Sequence, residues 1–122
     1  MGELLACRII FVMNSRERVL AAIAHKQPDQ VPVDLGSTPS SGISAIAYSN
    51  LLKSIGRTDL PVQIYDVVQQ LAQPDMSIID RFGVDVLDIG RAFNTEEKDW
   101  HETILSDSFQ SSETSRRFLS LL

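Results

Sequence analysis

The sequence predicts an α/β fold in which parallel strands alternate with helices. Apolar residues recur at helical spacing in three segments, which begin near Asn14, Ser44 and Pro74. Between them, the β-branched runs 31–33 and 84–89 have the composition of short buried strands. Helices that alternate with strands are typical of a parallel α/β architecture. The predicted order is helix, strand, helix, a mixed segment, helix and strand.

The composition is that of an ordinary globular domain. The chain has 122 residues, 43% apolar and 22% charged, which is enough for one domain. Its net charge is -5 and it has no basic stripe, which argues against nucleic acid as a partner. Cys7 is the single cysteine, so an internal disulfide and a thiolate metal cluster are excluded within one chain. We expect a cytoplasmic location.

The first helix has clear boundary signals. Asn14 followed by Glu17 has the spacing of a capping box. Pro28 is expected to end the helix, because a residue before proline avoids the helical region. Its apolar positions share one face: Val19, Leu20 and Ile23.

The second and third helices are predicted from the same kinds of signal. Gly56 is a natural residue to follow the end of the second helix. Pro74 and Asp75 suit the first turn of the third, which Gly83 ends. The expected buried positions are Tyr48, Leu51, Leu52 and Ile55 in the second helix, and Ile78, Ile79 and Phe82 in the third.

Two segments are harder to interpret. Residues 62–71 are predicted as an extended piece that turns into a short helix. The charged segment 91–107 is predicted as a hairpin or a surface helix around Trp100 and Ile104.

The two ends of the sequence differ from the middle in composition. Residues 1–12 are expected to be a non-native extension with Met13 as the true start, or else a short strand packed on the domain. Their apolar run is far shorter than the ~20 residues of a membrane span, so no membrane association is expected. Residues 108–122 form a Ser-rich tail with no relation to the preceding pattern. The chain is thus divided into residues 1–13, 14–107 and 108–122.

The loop after Asp34 is the first candidate site. Asp34 ends a predicted strand, where it is either functional or a turn aspartate bonded to its own loop. Gly36 and Gly42 suggest a phosphate loop, but their spacing is wrong and no lysine follows, so a plain turn is favoured. If an anion binds, the helix start near Ser44 is the expected place. The candidate substrate-binding residues here are Gly36, Ser37, Thr38, Ser40 and Ser41.

Other polar residues are weighed in the same way. Asp88 is a candidate functional carboxylate with Arg91 as its ion-pair partner, whereas Asp85 is expected to be structural. His25 is expected in the last turn of the first helix, where a cation complements the helix dipole. His101 with Glu97 has the i, i+4 spacing of metal ligands, but a solvated charged face is favoured. Packing roles are expected for two aromatic residues, Tyr65 and Trp100.

Three stretches carry a family resemblance. They are "NSRERVLAAIAHKQPDQVPVDLG", "IYDVVQQLAQPD" and "RFGVDVLDIGRAF". Together they resemble the N-terminal part of the uroporphyrinogen decarboxylase family, closest to the branch that includes methylcobalamin-dependent methyltransferases. The resemblance covers roughly residues 14–107. It implies the N-terminal portion of a TIM-type (β/α)8 barrel, incomplete in this chain, with chemistry at the C-terminal ends of the strands.

The resemblance also implies roles for the candidate residues. It makes Asp34 and Asp88 the candidate catalytic residues, and it makes the Ser/Gly loop and Arg91 the candidate substrate contacts. The family's decarboxylases bind propionate groups with an arginine-containing loop, but this sequence has no arginine between Asp34 and Leu52. The zinc ligands of the methyltransferases lie in the C-terminal half, so no cofactor is expected in this segment. Zinc and a corrinoid partner are implied only for a full-length, methyltransferase-like parent.

These implications lead to one main functional hypothesis and two alternatives. The parent is expected to act on a tetrapyrrole, as a lyase of porphyrin biosynthesis, or on a corrinoid-linked methyl group, as a methyltransferase. The truncated chain alone is expected to be inactive and to self-associate. The alternatives are a non-catalytic gene remnant and a small α/β binding module.

Overall fold

A computed structural model describes residues 12–89, 97–105 and 116–121 of the chain. The helices are α1 (Ser15–Ile23), α2 (Ala45–Ser54) and α3 (Met76–Arg81), and the strands are β1 (Ile43–Ser44), β2 (Gln63–Asp66), β3 (Leu71–Gln73), β4 (Trp100–Leu105) and β5 (Arg116–Leu121). Short 3₁₀ turns lie at Pro39–Ser41 and Glu97–Asp99. Within the described ranges, no helix has the length and apolar character needed to cross a membrane. Most of the predicted N-terminal extension and the candidate Arg91 fall outside these ranges.

The strands form one mixed sheet in the order β1-β3-β2-β5-β4. Three of the four pairings are antiparallel, namely β1 with β3, β3 with β2, and β5 with β4. The fourth pairing, between β2 and β5, is parallel and aligns Ile64 with Ser120. Residues 116–121, which the sequence assigned to an unrelated tail, therefore lie in the sheet between two other strands.

A β-hairpin occupies the segment that was predicted to become a short helix. Strand β2 ends at Asp66, a turn follows over residues 67–70, and β3 returns antiparallel to β2. Gln70 has a positive φ of 56°, which bends the chain into β3. The register shifts between Ile64 and Asp66, so the hairpin contains an irregularity beside Tyr65. The extended part of the prediction was right, and the helical part was wrong because Val67 and Val68 lie in the turn.

The two predicted parallel strands meet at a single point. Asp34 and Val86 form an isolated parallel bridge. One residue earlier, the Asp85 amide donates to the Val33 carbonyl at 2.8 Å. Residues 31–33 and 84–89 do not form a continuous ladder. The two segments are nevertheless adjacent and run in the same direction. Their C-terminal ends therefore lie on the same side of the molecule.

Helix α1 begins as predicted but ends earlier. Asn14 and Glu17 form a complete capping box. The helix ends at Ile23, and His25 then adopts a φ of 55°, so the chain leaves the helix before Pro28. The Lys26 amide donates to the Ala21 carbonyl at 2.9 Å, as in a Schellman-type end. The predicted apolar face is largely exposed: Leu20 is 53% and Ile23 is 69% accessible.

Helices α2 and α3 pack against the hairpin and supply the core. Gly56 and Gly83 follow their ends with φ values of 73° and 60°, as the sequence predicted. Phe82 was expected to be buried but is 43% exposed, because α3 ends before it. The buried cluster consists of Ala45, Tyr48, Leu52, Ile64, Ala72 and Ile78. The core thus lies on the side of the hairpin that faces these two helices.

Candidate functional site

The Asp34 carboxylate is turned into its own loop. It accepts hydrogen bonds from the Ser37 amide at 3.0 Å and from the Ser37 hydroxyl at 2.6 Å. Partial burial opposes ionisation of Asp34, but hydrogen bonds from Ser37 and Ser41 outweigh it, so the pKa of Asp34 is lowered. At neutral pH the group is therefore an anion and cannot serve as a proton donor. Of the two readings left open for Asp34, this geometry gives the turn reading direct support.

The remaining hydroxyls of the loop bond mainly to one another. Ser41 Oγ lies 3.2 Å from Thr38 Oγ1, donates to the Thr38 carbonyl and accepts from the Thr38 amide at 3.1 Å. The Gly36 amide donates to the Ser41 carbonyl at 3.0 Å. These bonds close the loop on itself, while Ser40 is exposed at its surface. Few donors are thus left to bind the carboxylates of a substrate.

Backbone amides at the start of α2 also have hydrogen-bond acceptors within the protein. The Ser44 hydroxyl accepts from the Ala47 amide at 3.3 Å, which caps the helix. The Ala45 amide donates to the Gln70 carbonyl at 2.8 Å. An anion at this helix start would have to compete with these two bonds, so the expected place for an anion is already occupied.

A small apolar cleft lies where the two parallel segments end. Its volume is about 40 Å³, and its walls are formed by Leu35, Gly36, Ser37, Gln73, Pro74, Met76, Ile79, Val86, Leu87 and Asp88. Most of this lining is aliphatic, and among the described residues Asp88 contributes its charged group. Sites that enclose a drug-sized ligand have volumes of roughly 300 Å³ or more. The cleft can therefore hold only an edge or a side chain of a large ligand.

Gly36 lies where the loop reaches the cleft, and its backbone conformation is one that favours glycine. Its φ is 89°, in the left-handed region. A Cβ added to Gly36 would lie 3.4 Å from Cδ of Pro74, an ordinary contact distance. Strain at this position therefore comes from the backbone, and the close packing of Gly36 on Pro74 joins the loop to the hairpin side of the cleft.

The structure brings together some of the predicted site residues and leaves others apart. Gly36, Ser37 and Asp88 share the cleft, and Asp34 lies next to it through its bonds to Ser37. Thr38, Ser40 and Ser41 do not line it. Arg91, the predicted partner of Asp88, lies outside the described residues. The wall contributed by Gln73, Pro74 and Met76 was not predicted, because it depends on the unrecognised hairpin.

An ionic network occupies the opposite end of the parallel segments. The Arg18 guanidinium donates to Asp29 through Nε at 2.7 Å and through a terminal nitrogen at 3.1 Å. It also donates to Asp85 and to the Met13 carbonyl. The second oxygen of Asp85 accepts from the Val33 amide at 2.9 Å. Asp85, expected to be structural, thus ties α1 to both parallel segments.

The charges of this network shift the pKa values of its members. Hydrogen bonds from Arg18 hold the pKa of Asp29 far below its usual range, against the opposing effect of desolvation. Desolvation is also the largest effect on Asp85, but bonds from Val33, Ser15 and Arg18 outweigh it and lower its pKa. All three groups stay ionised at neutral pH. The paired charges at this end therefore stabilise the contact of α1 with the two segments.

Neither histidine is placed as a metal ligand. His25 follows the end of α1 rather than lying in its last turn, which corrects the predicted position. His101 lies in β4, so it does not share a helical face with Glu97 as the i, i+4 spacing would require. Among the residues that the structure describes, no three His, Cys, Asp or Glu side chains come together to hold a metal ion.

Tyr48 was expected on the apolar face of the second helix, and its hydroxyl also makes a polar contact that was not predicted. Its side chain is fully buried, and its hydroxyl accepts from the Asp75 amide at 2.9 Å. Asp75 in turn caps α3 by accepting from the Ser77 amide at 2.8 Å. Burial raises the pKa of Tyr48, so the phenol is neutral. This bond fixes the start of α3, and hence Met76, at the cleft.

Searches for similar proteins leave the family open. No match to the chain was found among protein-family models, curated proteins or solved structures.

Proposed function

We propose that the chain forms the substrate-facing end of a uroporphyrinogen-decarboxylase-like barrel, with its cleft contacting the apolar edge of a tetrapyrrole or corrinoid. The observation that carries this proposal is the position of the cleft. It lies past Asp34 and Val86, at the C-terminal ends of two adjacent parallel segments. In a (β/α) barrel these ends form the face where substrates bind. The opposite face carries the Arg18 network, as expected for a region that serves stability.

The polarity of the cleft favours the corrinoid-linked reading over decarboxylation. Binding several propionate groups calls for guanidinium donors. The cleft lining contains no cationic side chain among the described residues, and the nearby loop hydroxyls bond to each other. A ligand edge with alkyl and amide groups suits the aliphatic walls and the Gln73 amide better.

A small α/β binding module is the second candidate. The observation that favours it is the buried cluster around Tyr48, Ile64 and Ile78, which α2, α3 and the β2–β3 hairpin form among themselves. A module of this kind would bind ligands at the same cleft without turnover. The two candidates therefore share a binding site and differ in catalysis.

Binding of hydroxocobalamin and coproporphyrin to the cleft tests the proposal. We expect weak, saturable binding by absorbance titration, stronger for hydroxocobalamin. Leu87→Glu places a carboxylate in the cleft and should weaken binding at least about fivefold, since a desolvated charge without a partner is costly. Val68→Glu is the matched control, because Val68 is 94% exposed in the hairpin turn.

The contradicting outcomes are distinct for the two candidates. No binding by ~1 mM ligand, or equal binding by both variants, would reject the cleft as the site. Turnover is measured by product analysis with uroporphyrinogen and by absorbance with methylcobalamin and a thiol. We expect none from the isolated chain. Turnover that is lost on Asp34→Ala or Asp88→Ala would show that it is catalytic by itself and reject the module.

A further inference from the structure

A second cavity lies at the other end of α2, away from the cleft. It has a volume of about 110 Å³ and is lined by Leu52, Lys53, Arg57 and Thr58, with Ser49, Leu60 and Val62 completing its walls. Leu52 belongs to the buried core, and Leu60 and Val62 pack against it. The cavity thus combines an apolar floor with a rim of two cations and two hydroxyl groups.

The end of α2 places both cations at the rim. Gly56 has a φ of 73°, which lets the chain reverse so that the Arg57 amide donates to the Leu52 carbonyl at 2.8 Å. The Gly56 amide donates to the Lys53 carbonyl at 3.1 Å. Because these bonds satisfy the last carbonyls of the helix, its negative end is partly compensated. The geometry that ends the helix therefore also places Arg57, like Lys53, among the residues that line the cavity.

Of the two rim cations, Arg57 interacts with two carboxylates, Asp59 through direct hydrogen bonds and Asp75 through its charge. Asp59 neutralises one cation by accepting from Arg57 through Nε at 2.9 Å and a terminal nitrogen at 3.1 Å. The Ser77 hydroxyl accepts from the other terminal nitrogen at 3.2 Å, so the guanidinium is oriented from two sides. A guanidinium has five N–H donors, which leaves two of them. Lys53 is exposed and adds an ammonium charge that these bonds do not compensate.

We propose that this cavity is a binding site for a small monoanion with a short alkyl group, such as a short-chain carboxylate. The carboxylate would bind to Lys53 and to the remaining Arg57 donors at the rim, and the alkyl group would lie on Leu60 and Val62. The volume limits the ligand to a few non-hydrogen atoms. The site is separate from the cleft and does not depend on the function proposed for it.

Titration with butyrate tests the site. Butyramide, an uncharged compound of similar size, is the control. Amide signals of residues 53–60 are followed by two-dimensional NMR. We expect butyrate to shift them with millimolar affinity and butyramide to have little effect. Equal effects of the two compounds, or no shift by ~50 mM butyrate, would overturn the proposal.

Two substitutions with opposite expected signs sharpen the test. Lys53→Gln removes the uncompensated charge and should weaken butyrate binding about three- to fivefold, as for a partly exposed ion pair. Asp59→Asn removes the competing carboxylate and should strengthen binding two- to fivefold. Lys26→Gln is the control, since Lys26 also follows a helix end but lies far from this cavity in the sequence. A loss of binding in Asp59→Asn, or equal effects of Lys53→Gln and Lys26→Gln, would contradict the site.

Discussion

Arg18 joins three separate parts of the chain through one side chain. It is 7% exposed and bonds to Asp29, to Asp85 and to the Met13 carbonyl. A buried cation is stable only when its donors are paired, and here two of the three partners are carboxylates. Loss of one partner would leave the other with the whole charge. The Asp85 carboxylate also accepts from the Val33 amide, so the parallel contact shares a residue with this network.

The Arg18 network should make the stability of the folded chain depend on pH, and its carboxylates determine the direction of that dependence. The pKa values of Asp29 and Asp85 are lowered in the folded chain. Their stabilisation is therefore complete above the unfolded value of about 4 and is lost as the pH falls through the lower folded values. We expect the NMR signal of the Val33 amide to stay constant from pH 8 to about 5 and to move below about 4.

Asp85→Asn should have the same effect at neutral pH as protonation of the Asp85 carboxylate has at low pH. The substitution removes the charge beside Arg18 and should cost about 1–3 kcal/mol. The Val33 signal should be displaced at pH 7 and should no longer titrate. Asp80→Asn, on the exposed side of α3, is the control and should leave the signal unchanged. A titration midpoint above about 4 for the unmodified chain would show that the network does not favour the ionised form.

Residue roles were predictable where they depend on neighbours in sequence. The Asn14 and Glu17 capping box was predicted from their spacing and is present. Asp85 was expected to be structural, but its partner Arg18 lies 67 residues away and had no local signal. The hydrogen bond of Tyr48 to the Asp75 amide was not predicted, because it depends on how two helices pack against each other.

At the scale of elements, helix ends were predicted better than strand partners. Glycines with positive φ follow α2 and α3 where the sequence placed them. Helix α1 ended early because His25 took the left-handed conformation that glycine usually supplies. The hairpin was missed because Val67 and Val68 are β-branched and apolar, whereas turns usually contain Gly, Asn or Asp. The Gln73 and Met76 wall of the cleft was missed with it.

Substitution of Gly56 tests the helix end that forms the second cavity. A Cβ there would meet no atom within 4 Å, so any cost comes from the backbone alone. Gly56→Ala should cost about 1–2 kcal/mol because alanine disfavours a φ of 73°. The Arg57 amide, which bonds to Leu52, should then exchange with solvent roughly 5- to 30-fold faster. Gly56→Asn should recover much of the protection, and equal rates in the two variants would contradict this account.

At the scale of the molecule, many large apolar side chains are exposed, while the buried core is small. In the described ranges, the buried apolar residues are Ala45, Tyr48, Leu52, Ile64, Leu71, Ala72, Ile78 and Ile79. Large apolar side chains that remain exposed include Leu20, Ile23, Val31, Met76 and Ile89. Each such side chain forgoes about 1.5–3 kcal/mol that full burial would contribute. A domain of this size has a net stability of only about 5–15 kcal/mol.

We therefore expect the isolated chain to be loosely packed and to self-associate. It should show helical circular dichroism, binding of an apolar dye and little cooperative melting. The double variant Ile23→Lys and Val31→Lys should reduce both dye binding and association, measured by light scattering, because these side chains are 69% and 80% exposed. A sharp two-state transition from a monodisperse monomer would contradict this expectation and favour the independent binding module.

The parallel pairing of β2 with β5 sets a delay during synthesis. Ile64 pairs with Ser120, so the ribosome must add 56 more residues before this pairing can form. At roughly 5–20 residues per second, the delay is about 3–11 s. The β2–β3 hairpin is local and can form in microseconds, with one edge of β2 still open. For those seconds a nascent chain presents an unpaired strand edge to its neighbours on the same polysome.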